Sequence, residues 1–99
     1  MQNLKQSRPV PEVSTRQIPL TVRVGEGTQV SVTGDFTDWS PEGIPMKRLA
    51  DGRYRVLLRL APGSYQYRVI VDGAWANDLD SDRRVSNPFG SENSVLEVT

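Results

Sequence analysis

Cysteine and histidine are both absent from the 99 residues of this chain. Without cysteine there is no disulfide framework, which is compatible with the cytoplasm. Without histidine, a Ser-His-Asp or Cys-His catalytic site cannot be built, and histidine ligands for zinc are excluded. No apolar run approaches the roughly 20 residues of a membrane-spanning helix, and the first residues lack the apolar segment of a secretory signal. We therefore predict a cytoplasmic protein without a metal or other cofactor.

An excess of either charge is also absent, because 12 lysines and arginines are balanced by 12 aspartates and glutamates. Nucleic-acid binding needs a concentrated positive field, so this balance argues against it. The length corresponds to one domain, which buries roughly two thirds of the surface of its unfolded chain. We expect neither nucleic acid nor membrane among the partners.

Short runs of alternating apolar residues follow one another along the chain, separated by turns that contain glycine or proline. The runs are Leu20–Val24, Val30–Val32, Tyr54–Leu60, Tyr65–Val71 and Ser94–Val98. No window keeps an apolar 3.6-residue period for three turns. Short strands at near-regular spacing predict an all-β fold, an antiparallel β-sandwich. We interpret residues 1–17, which contain two prolines and little periodicity, as a flexible tail, and residues 18–99 as the folded module.

Asp72-Gly73 lies between two apolar runs and predicts a two-residue hairpin turn. In this register Ile70 is opposite Trp75. Because side chains alternate along strands, Tyr65, Tyr67, Val69 and Val71 form the core stripe. Arg68, Ile70 and Trp75 form the other stripe. An exposed indole beside a guanidinium indicates a binding surface.

Clusters of aspartate provide the chain's only candidates for acid–base or metal chemistry. Asp35 and Asp38 formally allow a two-carboxylate glycosidase site, and Asp78, Asp80 and Asp82 resemble the start of a calcium loop. The positions that an EF-hand gives to glycine and glutamate hold arginine and phenylalanine here. Since aspartates commonly cap turns or stay solvated, we predict neither catalytic nor metal-binding residues.

Several motifs in this order resemble one known family. They are Gly34-Asp35-Phe36-Thr37-Asp38-Trp39, Met46-Lys47-Arg48, Gly52-Arg53-Tyr54, and Pro62-Gly63-Ser64-Tyr65-Gln66-Tyr67-Arg68-Val69-Ile70-Val71-Asp72-Gly73-Ala74-Trp75. The family is the glycogen-binding module of the AMP-activated protein kinase beta subunit, with the early-set N-terminal domains of isoamylase, pullulanase and branching enzymes. The resemblance runs from about residue 18 to residue 98.

The resemblance implies an immunoglobulin-like (early-set) sandwich that binds α-1,4-linked glucan chains. Trp39 and Trp75 would stack on sugar rings, and Arg68 stands where the family usually has a lysine that hydrogen-bonds sugar hydroxyls. The remaining ligand-binding positions that it implies are Phe89, which would press against the glucan, and Ser91 and Asn93, which would hydrogen-bond it. Phe89 replaces the family's usual leucine.

We therefore predict a non-catalytic module for glycogen, starch or maltooligosaccharides. It would serve as an accessory part of a glycoside hydrolase or of a kinase complex. A neutral polymer suits a chain of zero net charge. The alternative is an early-set interaction domain that contacts a catalytic or regulatory protein and holds no sugar, and in that case a partner would cover both tryptophans.

Overall fold

A computed structural model describes residues 15–99. Within this part of the chain there are nine strands: β1 (Arg16–Val22), β2 (Val30–Gly34), β3 (Ile44–Pro45), β4 (Lys47–Arg48), β5 (Tyr54–Leu60), β6 (Gly63–Val71), β7 (Ala74–Ala76), β8 (Arg84–Ser86) and β9 (Glu92–Val98). A 3₁₀ turn, Asp35–Thr37, follows β2. No helix within residues 15–99 is long and apolar enough to cross a membrane.

The strands form two antiparallel sheets. The larger has the order β3-β2-β6-β9-β8, with β7 paired to β6, and the smaller has the order β1-β5-β4. Their inner faces share one apolar core. The predicted all-β, immunoglobulin-like sandwich is confirmed.

The first strand begins slightly earlier than expected. Arg16 and Gln17 are paired with Leu60 and Arg59 of β5, so these two residues belong to the folded module rather than to the predicted tail. Their alternation is weak in the sequence, and it is the pairing with β5 that makes them a strand. The other residues of the predicted tail, 1–14, lie outside the described residues.

The core consists mainly of β-branched and aromatic residues at alternate strand positions, as the sequence predicts. Val22, Val32 and Val69 have no exposed surface. Each such side chain contributes about 1.5–3 kcal/mol relative to an exposed one. The hydroxyls of the two core tyrosines are both paired, since Tyr54 donates to the Gly27 carbonyl at 3.1 Å and Tyr67 donates to the Asp78 carboxylate at 2.8 Å. The core therefore buries apolar area without leaving these hydroxyls unpaired.

Asp78 ties the start of the loop after β7 to both sheets. Its side chain is almost fully buried and accepts hydrogen bonds from the Arg23 N–H at 3.0 Å and the Tyr67 hydroxyl at 2.8 Å. It also accepts the Asp80 N–H at 3.0 Å. Burial, together with the Asp78 carboxylate, raises the pKa of Tyr67, so its hydroxyl stays a donor. Asp78 thus serves as a structural acceptor.

Replacing Asp78 should destabilise the fold strongly. In Asp78→Ala the buried Tyr67 hydroxyl loses its acceptor, and an unsatisfied buried group costs about 1–3 kcal/mol. With the loss of the two backbone bonds we expect about 2–4 kcal/mol, measured by urea unfolding followed by tryptophan fluorescence. Asp80→Ala, which removes only an exposed pair with Arg23, should cost less than about 1 kcal/mol. Equal losses in the two variants would contradict the role assigned to Asp78.

Candidate functional site

One cleft on the outer face of the larger sheet contains all six residues proposed from the sequence. It has a volume of about 510 Å³, and we call it the aromatic cleft. Its lining residues are Asp35, Trp39, Gln66, Arg68, Trp75, Asn87, Pro88, Phe89, Ser91 and Asn93. They come from β6, β7, β9, the loop after β2 and the loop between β8 and β9. The cleft is therefore assembled from segments far apart in the chain.

Trp75 reaches the cleft through the predicted hairpin. Asp72 and Gly73 have φ angles of 50° and 87°, the positive values that a type I′ turn requires at both central residues. The resulting register places Trp75 opposite Ile70. Trp75 is 42% exposed, while Ile70, on the same outer face, is only 7% exposed. The hairpin prediction is confirmed, and the indole is open to solvent.

Trp39 is positioned by an unusual backbone. Asp38 and Trp39 both have positive φ, 52° and 58°, a conformation that is rare for a bulky residue and is found at functional sites. The Trp39 N–H donates to the Gly34 carbonyl at 3.0 Å. Gly34 itself must be glycine, because a Cβ there would lie 2.3 Å from the Gln66 carbonyl oxygen. The loop is thus held tightly against β6.

The two indoles lie side by side and nearly parallel. Their ring centroids are 6.3 Å apart and their planes differ by 18°. Asp35 fixes the Trp39 ring by accepting its Nε1–H at 3.1 Å, and its other oxygen accepts the Gln66 backbone N–H at 2.8 Å. One carboxylate therefore joins the tryptophan loop to the sheet. Trp39 is partly buried but does not belong to the core.

A network of polar side chains forms the floor of the cleft. Arg68 donates through Nε to Asn77 Oδ1 at 3.2 Å and through Nη1 to Ser91 Oγ at 3.2 Å. Asn93, only 8% exposed, donates to Gln66 Oε1 at 2.9 Å and accepts from Asn87 Nδ2 at 3.0 Å. It lies on strand β9 and not in a turn. These contacts hold the guanidinium and the amides in fixed orientations.

Phe89 stands at the rim of the cleft. It is 90% exposed, on a loop that Asn87 closes by accepting the Phe89 and Ser91 backbone N–H groups at 3.0 and 3.1 Å. An Asn side chain that bonds the backbone two residues on is an Asx turn. The loop is anchored at its base while the phenyl ring is left free, so the ring is available to a ligand.

Gln66, Asn87 and Asp35 are cleft residues that the sequence did not assign to binding. Gln66 could have been found from alternation, since it is two residues before Arg68 on β6 and so shares its face. Asn87-Pro88 is a turn dipeptide, but nothing local places it at the cleft. Asp35 was noted only as a formal catalytic carboxylate. Its actual bonds, to a neighbouring indole and to a strand 31 residues later, depend on tertiary contact.

The carboxylates of the described residues are dispersed. Asp35 is the single acid lining the aromatic cleft, and both of its oxygens accept hydrogen bonds. Within residues 15–99 no three acidic side chains lie close enough to form a metal site. Asp78 points into the protein while Asp80 pairs with Arg23, so the run of aspartates does not converge on one point.

A β-sandwich with paired indoles above a polar floor is typical of carbohydrate-binding modules. The chain matches, over residues 19–99, the family described as the glycogen recognition site of AMP-activated protein kinase. Because this match covers most of the chain, the protein belongs to that family. This family match confirms the glucan-binding module expected from the sequence.

Relatives come from plants and mammals. The chain is 39% identical over 72 residues to the chloroplastic protein FLOURY ENDOSPERM 6 of Oryza sativa subsp. japonica, covering 73% of this chain and 13% of the relative. It is 32% identical over 74 residues to 5'-AMP-activated protein kinase subunit beta-1 of Sus scrofa, covering 75% and 57%. It is 35% identical over 72 residues to the chloroplastic PTST homolog 2 of Arabidopsis thaliana, covering 73% and 13%. The chain thus spans between about an eighth and three fifths of these relatives.

The predicted cytoplasmic location is wrong. The relatives from rice and Arabidopsis are chloroplastic proteins. The prediction relied on the missing cysteines, and a chain without cysteine is compatible with any reducing compartment. Composition therefore could not decide the location.

Removing the Asp35 carboxylate should release the Trp39 ring. Two indoles whose ring centroids lie 6.3 Å apart couple their electronic transitions, and a fixed skew between the two transition dipoles gives an exciton couplet in the far-ultraviolet circular dichroism, which we expect for this protein. We expect Asp35→Ala to lose most of the couplet and Asp35→Asn, which retains one acceptor oxygen, to keep part of it. Asp38→Asn preserves a residue that tolerates positive φ and should leave the couplet unchanged. A full couplet in Asp35→Ala would contradict this assignment.

Proposed function

We propose that the chain is a non-catalytic module that binds α-1,4-linked glucan chains, as in glycogen, starch or maltooligosaccharides, in the aromatic cleft. The observation that carries the proposal is the pair of near-parallel indoles, Trp39 and Trp75, beside a fixed polar floor. A glucose ring has an apolar face of C–H groups and a rim of hydroxyls. Flat aromatic rings cover the former and oriented donors meet the latter.

Each of the six residues proposed from the sequence has a role that its surroundings support. Trp39 and Trp75 would stack on neighbouring sugar rings. Arg68 uses two of its five donors within the protein, which leaves others for sugar hydroxyls. Ser91 and Asn93 would contribute polar contacts at the floor. Phe89, the most exposed large apolar side chain among residues 15–99, would press on the glucan from the rim.

A binding role accounts better for the cleft than catalysis does. Hydrolysis of a glycoside usually needs two carboxyl groups that flank the scissile bond, and the cleft is lined by one, already bound to Trp39 and Gln66. A shallow site of this kind would bind with a Kd from micromolar to millimolar, about 4–8 kcal/mol. Many chain ends on one polymer would raise the effective affinity.

The relatives support a module that acts within a larger assembly. One of them is a subunit of a kinase, and all extend well beyond the matched region. We propose that this module, folded from Arg16 onward, delivers a catalytic or regulatory protein to a glucan. The alternative, an interaction domain that holds no sugar, would need a partner to cover the two indoles.

Titration with maltoheptaose tests the proposal. We expect heat release and a change in tryptophan emission as the sugar binds. Trp75→Ala should weaken binding by at least about tenfold, or about 1.4 kcal/mol, because a stacking surface is lost. Leu79→Ala removes another exposed apolar side chain, 48% exposed and outside the cleft, and should bind as the parent does. No heat at millimolar sugar would end the proposal.

Two substitutions of Arg68 separate the effect of its positive charge from the effect of its planar guanidinium group. Arg68→Ala removes all donors and should weaken maltoheptaose binding by about tenfold, since hydrogen bonds to charged groups contribute about 1.5–3 kcal/mol. Arg68→Lys restores the residue usual in the family but cannot reproduce the planar fork, so we expect a change of less than about threefold. Calorimetry measures both. Unchanged affinity in Arg68→Ala would exclude the guanidinium from the site.

A further inference from the structure

The smaller sheet has a second distinctive face, away from the aromatic cleft. Alternation places on its outer side Gln17, Pro19 and Thr21 of β1, Lys47 of β4, and Arg55, Leu57 and Arg59 of β5. Three of these residues are basic and none is acidic. The ion pairs among residues 15–99 involve four other arginines. This face therefore carries positive charge that the zero net charge of the chain conceals.

Among the described residues, one edge of β5 lacks a neighbouring strand over most of its length. Strand β4 pairs only with Tyr54 and Arg55, because the chain passes to the other sheet at Met46, whose N–H donates to the Val30 carbonyl at 2.9 Å. Beside residues 56–60 no further strand of the described part of the chain is paired on that side. We call this stretch the β5 edge.

The alternation of hydrogen-bonded and non-hydrogen-bonded residue pairs shows which backbone groups point to the β5 edge. The Leu49 N–H donates to the Arg53 carbonyl at 2.7 Å, and bonded pairs in antiparallel strands recur every second residue. The backbone groups of Arg55, Leu57 and Arg59 therefore point to the side of β4. Pro19, opposite Leu57, is consistent with this assignment, because an N–H at position 19 would point away from β5 and its absence costs no bond to β5.

The β5 edge also has a shape and an apolar centre that suit an added strand. A groove of about 440 Å³ is lined there by Lys47, Leu49, Arg55, Val56 and Leu57. Leu57 is 52% exposed between two arginines. Backbone donors and acceptors, an apolar side chain and flanking cations thus lie along one short line.

We propose that the β5 edge is a docking site for an extended acidic segment of a partner protein, which adds to the sheet as a strand beside β5. Main-chain bonds to Leu57 and Arg59 would give affinity, as in strand addition generally. Carboxylates beside Arg55, Arg59 and Lys47 would give selectivity, because opposite charges across strands stabilise the pairing. A second copy of this chain would bring the same arginines together, so like charge disfavours it.

Nuclear magnetic resonance with a short capped peptide that alternates glutamate with valine tests the proposal on the whole chain. At about millimolar peptide we expect chemical-shift changes confined to residues of the β5 edge. Exchange of the Leu57 and Arg59 amides should slow by 1 + [peptide]/Kd, about twofold at half saturation. The same peptide with lysine for glutamate should leave these amides unchanged. Equal effects of both peptides, or none from the acidic one, would overturn the proposal.

Two controls define the mode of binding. Arg59→Glu should weaken binding of the acidic peptide by about fivefold, and Arg59→Lys should preserve that binding. Both variants should keep the exciton couplet of the two indoles, which shows that the fold is intact. Amides of Leu57 and Arg59 that already resist exchange without peptide would show an edge covered by the chain itself or by a second copy. An oligonucleotide could shift the resonances of Arg55 and Arg59 as strongly as the acidic peptide does, while neither ligand slows exchange of the Leu57 and Arg59 amides. That result would show nonspecific attraction of anions. Either result would overturn the proposal.

Discussion

The alternation of side chains along strand β6 is the constraint on which both the core and the aromatic cleft depend. Tyr67 and Val69 point into the sandwich, and Gln66 and Arg68 point out of it. Three strands, β2, β7 and β9, pair with β6 in defined registers. A slip of one residue would bury the Arg68 guanidinium and expose Val69. Because that exchange is unfavourable, the register of β6 fixes the cleft and the core together.

Aspartates connect the loops to this framework in a chain that has no disulfide. Asp35 joins the tryptophan loop to β6, and Asp78 joins the loop after β7 to the backbone at Arg23. Asp72, at the hairpin turn, accepts the Gln29 backbone N–H at 2.8 Å. Each carboxylate accepts more than one donor, and such charge-assisted bonds are stronger than neutral ones. These loops are thereby held to the sheets without covalent links.

The two sheets differ in the chemistry of their outer faces. The larger presents aromatic rings and amides, with Arg68 as the cation in its cleft, and this suits an uncharged polymer. The smaller presents Lys47, Arg55 and Arg59 beside an open strand edge, which suits an acidic segment of protein. Because the two surfaces lie on different sheets, a ligand on one leaves the other accessible. Such an arrangement fits a module that brings a protein to a glucan.

Local patterns in the sequence determined the five longer strands, the hairpin and the outward position of Trp75, because turn chemistry and a two-residue period act over a few neighbouring residues; the short strands β3, β4 and β8 have no such pattern. The resemblance to a known family singled out Trp39, Phe89, Ser91 and Asn93 as candidate site residues, and the structure brings them together in one cleft. Only the tertiary structure decided that Asp35 orients Trp39, that Gln66 and Asn87 complete the floor, and that the β5 edge has no paired strand within residues 15–99. Those features depend on contacts between segments up to 31 residues apart and on where the chain passes between sheets, which no local pattern encodes.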